Sequence, residues 1–525
     1  MNWYYYWTAP QVGEAMRTGS IFATPSGIEP VHPSPPGPKL PEPDSANFVN
    51  VTLNGKTFIN KGMVAFGLIP AAFRDETGET FGGVGSAIAL KRGTWKQNKD
   101  GSFSGSLIVQ PDRGFNVDGT INYQGRQHEV EFTLNPYYSS TPLSFNASQK
   151  TLALQYKSTL LYTERQHKTT TGLDSLAVRN SELVGLVLDP QEPIANKTFS
   201  HLNLDAEGLV LNSDGTSWVS DEYGPYVHLF SSEGDLIRSI QPPDAVLPFQ
   251  DVPGARNPVL NFTASVDPTT GRAGNQGFEG LTINPSGTKL FVFLQSATIQ
   301  DGGSNKDTQQ NTRLFVYDIS SISLIPPVYI GQYVVTLPVK ASNNHTFAQS
   351  ELHYLSDTQF LVLARDGNGN GDGVGNEESK YKNVDLFDIS EATNIAHTQF
   401  DSPAHPIAVN GVVVKGIKPA KYQPFISMID SIQLGRFGLH NGVPIDPTLL
   451  NSKWESLALA PVGDPSFPDD YFIITASDND FLTTNGVAAG MHYDAGSNVD
   501  SQFMVWRATL PSVQRGSVET SIGIH

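Results

Sequence analysis

Acidic residues return at matching places along this chain, each beside a short apolar run. "AEGLVLNSDGTSWVSDE" (206–222), "FEGLTINPSGTKLFVFLQS" (278–296), "SELHYLSDTQFLVLARD" (350–366) and "WESLALAPVGDPSFPDDYFIITASD" (454–478) share one order. An acidic residue stands at the head, an apolar run follows, then a polar turn and a second apolar run ending on a polar group. Glu207, Glu279, Glu351 and Glu455 hold the leading position; Asp221-Glu222, Arg365-Asp366 and Asp478 hold the closing one. Asp112-Arg113 closes a more divergent copy. Carboxylates gathered in one place repel one another, and burying them without partners is costly. Such a cluster persists when it binds cations or pairs with arginines. A single glutamate of this kind can equally serve by bonding the backbone amides of a neighbouring strand, but the group as a whole favours a functional cluster.

A second candidate is the stretch "RDGNGNGDGVGNEE" (365–378), where glycine at every second position supports neither helix nor strand. Asp366, Asn368, Asn370, Gly371 and Glu377 fit D-x-N-x-N-G-x5-E, the spacing of an oxygen-lined calcium loop. Asp372 would supply its backbone carbonyl at the seventh position, and Glu377 would close the shell with both oxygens. The flanks "FLVLA" and "NVDLF" read as strands, so this is no EF-hand, and Gly373 stands where a hydrophobic anchor is usual. The competing reading is a Gly/Asn loop with coincidental spacing. The expectation is Ca2+ in this loop and at Glu207, Glu279 and Glu455.

These groups become neighbours only if the strands that carry them are arranged in a ring. Short apolar runs bounded by Gly, Pro, Asn or Asp recur throughout, and no convincing amphipathic helix exceeds about three turns. "SDG" and "PSG" suit tight hairpin turns. Runs such as "RLFVYDIS" and "NVDLFDIS" supply a third strand. Antiparallel units of three or four strands, repeated, predict an all-β fold, a β-propeller of roughly six blades with long decorating loops. The copies "GVGSAIALKRGTWKQNKDGSFSGSLIVQPDRG" and "GLDSLAVRNSELVGLVLD" are counted as degenerate. The innermost strands then line a central channel, with the acidic ring at one mouth. Residues 1–45, with the Pro-rich stretch 24–45, are expected to lie outside the fold as a disordered segment; 46–515 form the propeller and 516–525 a C-terminal tail.

The 525 residues carry a formal net charge of −18. That argues against nucleic acid as a partner and suits cation binding. There is no cysteine, so thiol catalysis and thiolate metal sites are excluded. No run of 18 apolar residues marks a membrane span, and "MNWYYYWTAPQVGEAMRTG" does not read as a signal peptide. Sequons at Asn50, Asn146, Asn196, Asn261 and Asn344 would make a secreted chain a glycoprotein, although about five arise by chance.

The blocks "GGVGSAIALKRGTW" (82–95), "VQPDRGFN" (109–116), "EGLVLNSDGTSWVSDEYGPYVHLF" (207–230), "NQGFEGL" (275–281), "LARDGNGNG" (363–371) and "WESLAL" (454–459) resemble the phytase-like family, also called "esterase-like activity of phytase", in its fungal form. The resemblance spans about residues 46–515. It implies a secreted or surface β-propeller, acting as a monomer on a small phosphorylated substrate. The implied activity is metal-dependent hydrolysis of phosphate esters. On that reading Arg113 and Arg365 contact phosphate, being bidentate donors. Asp112, Asp221, Glu222 and Glu279 hold metal or orient water. No serine nucleophile is expected, because G-x-S-x-G is absent; His201, His228 and His353 are read as structural. The rival reading is a non-enzymatic propeller that binds a ligand or protein at the channel mouth, with calcium purely structural.

Overall fold

The turn signals fall where the strands reverse. In the computed structural model, which describes residues 42–116, 119–184, 187–321 and 326–524, Gly215 and Gly287 both take the left-handed conformation their hairpins need (φ 88° and 67°). Asn212 N donates to Thr216 O at 2.9 Å across the first turn, and Gly287 N to Asn284 O at 2.9 Å within the second. Most of the proline-rich segment assigned to 1–45 lies outside the described residues.

Each hairpin is the inner half of an antiparallel four-stranded blade. Blade 1 runs Ala87–Leu90, Phe103–Gln110, Arg126–Leu134 and Leu152–Leu161 from the axis outward. Blade 2 is Ala206–Leu211, Ser217–Asp221, Val227–Phe230 and Leu236–Ile240. Blade 3 is Phe278–Ile283, Lys289–Leu294, Asn311–Asp318 and Val328–Thr336. Blade 4 is Ala348–Tyr354, Gln359–Arg365, Lys382–Asp388 and Lys421–Ser427. Blade 5 takes Lys453–Pro461, Asp470–Asp478 and Ser501–Thr509 from late in the chain and Lys56–Ile69 from early in it, with Val49–Leu53 as a fifth, outermost strand. The innermost strands touch in the order 1, 2, 3, 4, 5 and back to 1, so the ring is closed.

The β-propeller expected from the repeats is therefore present, with five blades among the described residues instead of six. The difference lies in 172–189. That segment forms no blade: Ala177–Arg179 pairs with Glu192–Ile194, and Leu183–Val184 pairs with Val187–Leu188. These two- and three-residue strands decorate the passage from blade 1 to blade 2.

Both faces of each blade are buried, which is why the strands read as near-continuous apolar runs. Trp218, Leu281, Val292 and Phe315 fill the space between blades 2 and 3. Phe293, Leu352, Phe360 and Phe387 fill that between blades 3 and 4. Each such side chain contributes roughly 1.5–3 kcal/mol on burial.

The two ends of the chain meet in blade 5. Lys56–Ile69 lies antiparallel to Ser501–Thr509, pairing Ile59 with Thr509 and Ile69 with Ser501. Lys61 Nζ sits 2.8 Å from Asp470 Oδ2, which also accepts from Arg507 Nε at 2.7 Å, and the ammonium lies 4.1 Å from the centre of the Phe467 ring. At the far end of the central channel a short helix, Ser517–Ser521, brings Val518 and Ile522 against Leu90, Leu209, Leu281, Leu352 and Leu457, leaving a cavity of about 100 Å³. Gly93 N donates to Ile522 O at 2.7 Å, and the Arg92 guanidinium donates to Ser521 O.

Candidate functional site

The ladder slips at the glutamate in blades 2, 3 and 5, and one residue earlier, at Ser350, in blade 4, where Glu351 stays paired with Leu363. Register shifts fall between Ala206 and Leu209, Phe278 and Gly280, Gln349 and Glu351, and Trp454 and Ser456. A bulge of this kind re-aims one side chain out of the alternation. It also explains the glycine of E-G-L. A Cβ on Gly208 would lie 2.5 Å from Leu281 Cβ, and one on Gly280 would lie 2.8 Å from Leu352 Cβ, because the inner strands crowd at the axis.

The bulges bring Glu207, Glu279 and Glu455 to one mouth of the channel. Glu351 goes elsewhere: its Oε1 accepts Leu352 N at 2.6 Å and Leu281 N at 3.1 Å, tying blade 4 to blade 3. Glu207 is buried, and burial, then Glu279 and Glu222, push its pKa well above the ordinary range. Burial, then Glu222 and Glu455, do the same to Glu279.

Around these glutamates stand two groups of three acids. Oxygens of Asp205, Glu207 and Glu222 lie within 4.8 Å of one another, and so do oxygens of Asp112, Asp478 and Asp480. Burial, then Asp205, raises Glu222 to about 8; burial, ahead of Asp480 and Glu455, raises Asp478 to about 7. Burial and Asp478 carry Asp112 well above its ordinary value. Three cations share the mouth. Arg113 pairs with Asp205 at 3.0 Å, Arg365 with Glu455, and Lys453 with both Asp478 and Asp480 at 2.7 Å. Burial opposes the charge on Arg113, but Asp205, Tyr223, Asp112 and Glu222 together outweigh it and hold the guanidinium above its usual pKa.

Carboxylates outnumber cations here, and the mouth retains unused hydrogen-bonding atoms of both kinds. Glu222 Oε1 and Glu279 Oε2 are buried acceptors without a partner; Arg113 Nε and Arg365 Nε are buried donors without one. Such atoms occur elsewhere in the molecule too, but here charged acceptors and charged donors are left over side by side, which suits a ligand bearing both a cation and an anion. The oxygen-only acidic set fits a hard cation such as calcium.

Asp221 is taken up by its own turn. Its Oδ1 accepts Asp205 N at 2.9 Å and Tyr223 N at 3.1 Å, and its Oδ2 accepts Gly224 N at 3.0 Å. It holds the strand end that presents Glu222.

The glycine loop is gathered around an ammonium. Lys382 Nζ lies 2.6 Å from Asn368 O, 3.1 Å from Asp366 Oδ1 and 3.3 Å from Asp366 O. Asp366 also accepts from Ser379 Oγ at 2.7 Å and Lys380 N at 2.6 Å. Asn370 Nδ2 reaches Asn451 Oδ1 at 3.5 Å. Glu377 Oε1 accepts Gly375 N at 2.9 Å, and Asp372 stands exposed on the rim. The side chains of Asp366, Asp372 and Glu377 do not converge as a group of three. A calcium ion in this loop would compete with Lys382 for Asp366 and the Asn368 carbonyl.

Sequence reasoning missed Asp205, Asp480 and Lys453. The signal was available: Asp205 and Glu207, Lys453 and Glu455, and Asp478 and Asp480 are each two apart, the spacing that puts strand neighbours on one face.

Among solved structures, similarity extends to hydrazine synthase of Kuenenia stuttgartiensis (TM-score 0.28, 11% identity, 77% of this chain and 78% of that one). It extends also to the PQQ-bound aldose sugar dehydrogenase of Streptomyces coelicolor (TM-score 0.25, 12% identity, 85% and 98%). Likeness at this level carries no argument about function. A protein of Arthroderma benhamiae, described as an uncharacterized secreted protein, is 39% identical over 473 residues, covering 83% of this chain and 90% of that one. A family model described as phytase-like, "esterase-like activity of phytase", matches residues 104–481. On the strength of both matches, this five-bladed propeller belongs to the phytase-like family.

Proposed function

We propose that the channel mouth hydrolyses a small phosphate ester with the help of a divalent cation, calcium, held by Asp205, Glu207 and Glu222 with Glu279 beside them. The observation that carries this reading is the pairing of orphaned acceptors on Glu222 and Glu279 with orphaned donors on Arg113 and Arg365 at one buried mouth. The acceptors suit a cation and the donors an anion, and a phosphoryl group arriving with a metal satisfies both. The bound cation would neutralise phosphate charge and make a water more acidic. Without it, a chain of net charge −18 repels such a substrate.

Within this reading Arg113 and Arg365 turn their free Nε–H groups to phosphoryl oxygens, while Asp205 and Glu455 fix their orientation. Asp112 orients the attacking water and accepts its proton. Its Oδ1 is steadied by Gly114 N at 3.1 Å, and burial, then Asp478, raises its affinity for a proton. Asp221 acts only by positioning Glu222. All these groups come from one chain, so a monomer suffices. The secreted relative favours work outside the cell.

The test is hydrolysis of a chromogenic phosphate ester, with calcium and with a chelator. Chelation is expected to abolish turnover. Arg113→Lys keeps a cation beside Asp205 but loses the guanidinium Nε–H, and is expected to lower kcat/KM by about 100-fold at little cost in melting temperature. Absence of calcium-dependent hydrolysis of any phosphate ester, from a folded chain that binds calcium, would leave the binding-module reading in its place.

A further inference from the structure

The two acidic triads look alike by composition and differ in what already fills them. Asp112, Asp478 and Asp480 surround the ammonium of Lys453, which lies 2.7 Å from Asp478 Oδ2 and from Asp480 Oδ1, and 3.8 Å from Glu455 Oε1. The position is built into the fold, because Lys453 stands directly opposite Asp478 in the blade 5 ladder. The same side chain therefore meets the same carboxylate whenever the blade forms. Asp478 Oδ1 is occupied as well, by Asp480 N at 2.7 Å.

The other triad has no ammonium. Arg113 reaches Asp205 alone, at 3.0 Å. Glu222 Oε1 and, beside it, Glu279 Oε2 have no partner, although both residues are only 3% exposed. Gln295 Nε2 serves Glu279 Oε1 and leaves the second oxygen free. No cationic side chain bonds these two desolvated oxygens directly, which leaves them open to a cation from outside.

We infer that the mouth binds one divalent cation, at Asp205, Glu207 and Glu222, and that Lys453 is a built-in replacement for a second. Paired metals clamp both sides of a phosphoryl group in two-metal hydrolases. Here one of the two charges is an ammonium tethered to blade 5, a point charge with three donors. Lys453 is a positioning residue that holds the carboxylates of Asp478 and Asp480 in place beside Asp112. The inference rests on the proposed cation site, and the measurement below separates the two.

Calcium binding is measured by isothermal titration calorimetry on the full chain, with circular dichroism as the check on folding. Glu222→Gln is expected to weaken the mouth site by at least tenfold, and Asp480→Asn to leave it within twofold. Lys453→Met is expected to gain a further site, which Asp480→Asn then removes from the double variant. A wild-type site lost with Asp480→Asn would overturn the inference while leaving the hydrolase reading intact. So would a folded Lys453→Met chain that gains no site. Should Lys453→Met fail to fold, the opposite responses to Glu222→Gln and Asp480→Asn still decide the matter. A wild-type chain with no calcium site sensitive to Glu222→Gln would refute both readings.

Discussion

Asp385, in blade 4, shows what a buried carboxyl looks like when the fold satisfies it. Tyr381 and Tyr422 donate their hydroxyls at 2.6 and 2.8 Å, and Phe425 N donates at 3.1 Å. Burial still raises its pKa to about 6 against these bonds. A carboxyl in an unfolded chain titrates near ~3.9, so the folded state holds this proton more tightly. The stability tied to that proton is complete below the unfolded pKa and is lost as pH rises from about 4 to about 6. The loss amounts to roughly 3 kcal/mol. Urea melts of the wild type and of Asp385→Asn should therefore diverge by about that much between pH 4 and pH 7, the wild type losing ground. A difference that stays flat across that range would contradict the assignment. Glu207, Glu222 and Glu279 have no comparable set of donors, and that contrast marks them as candidates. Glu207, Glu279 and Glu455 were legible because a repeat aligned them. Asp205, Asp480 and Lys453 were not, because each sits beside an aligned residue and the alignment carried no information about faces.

At the scale of one loop, spacing marks which residues carry oxygens and says nothing about what they surround. Within the stretch from Asp366 to Glu377, Asp366 and the Asn368 carbonyl serve Lys382, the fifth residue after Glu377 and the first of the next strand. No calcium-loop pattern includes that position, so the occupant could not be read from the motif. Burial pushes the Lys382 ammonium down to about 8 even with Asp366 beside it. Lys382→Met removes the cation and leaves the Asp366 charge desolvated, a loss of about 3 kcal/mol. Limited proteolysis should then cut within 366–378, where the wild type resists. Added calcium is expected not to restore protection; restoration by calcium would return the loop to the class its spacing suggests.

For the molecule as a whole, the repeat revealed the fold class but overcounted the blades. A propeller needs four strands per blade, and the 172–189 segment offers apolar residues without the length. Nor does the sequence advertise that Lys56–Ile69 completes the last blade, since pairing partners more than 400 residues apart leave no local trace. That closure makes both ends of the chain essential to one ring. Lys61→Met takes one of two cations from Asp470 while Arg507 remains. The expected loss is about 2 kcal/mol, seen as a lower midpoint in a single denaturant transition. Two separate transitions would mean that blade 5 melts apart from the rest and that the closure matters less than its geometry suggests.

The short helix Ser517–Ser521 seats Val518 and Ile522 in the far end of the channel. The channel is thereby a blind well instead of a tunnel. A ligand that enters at the acidic rim would therefore have to leave past the same side chains, arginines included.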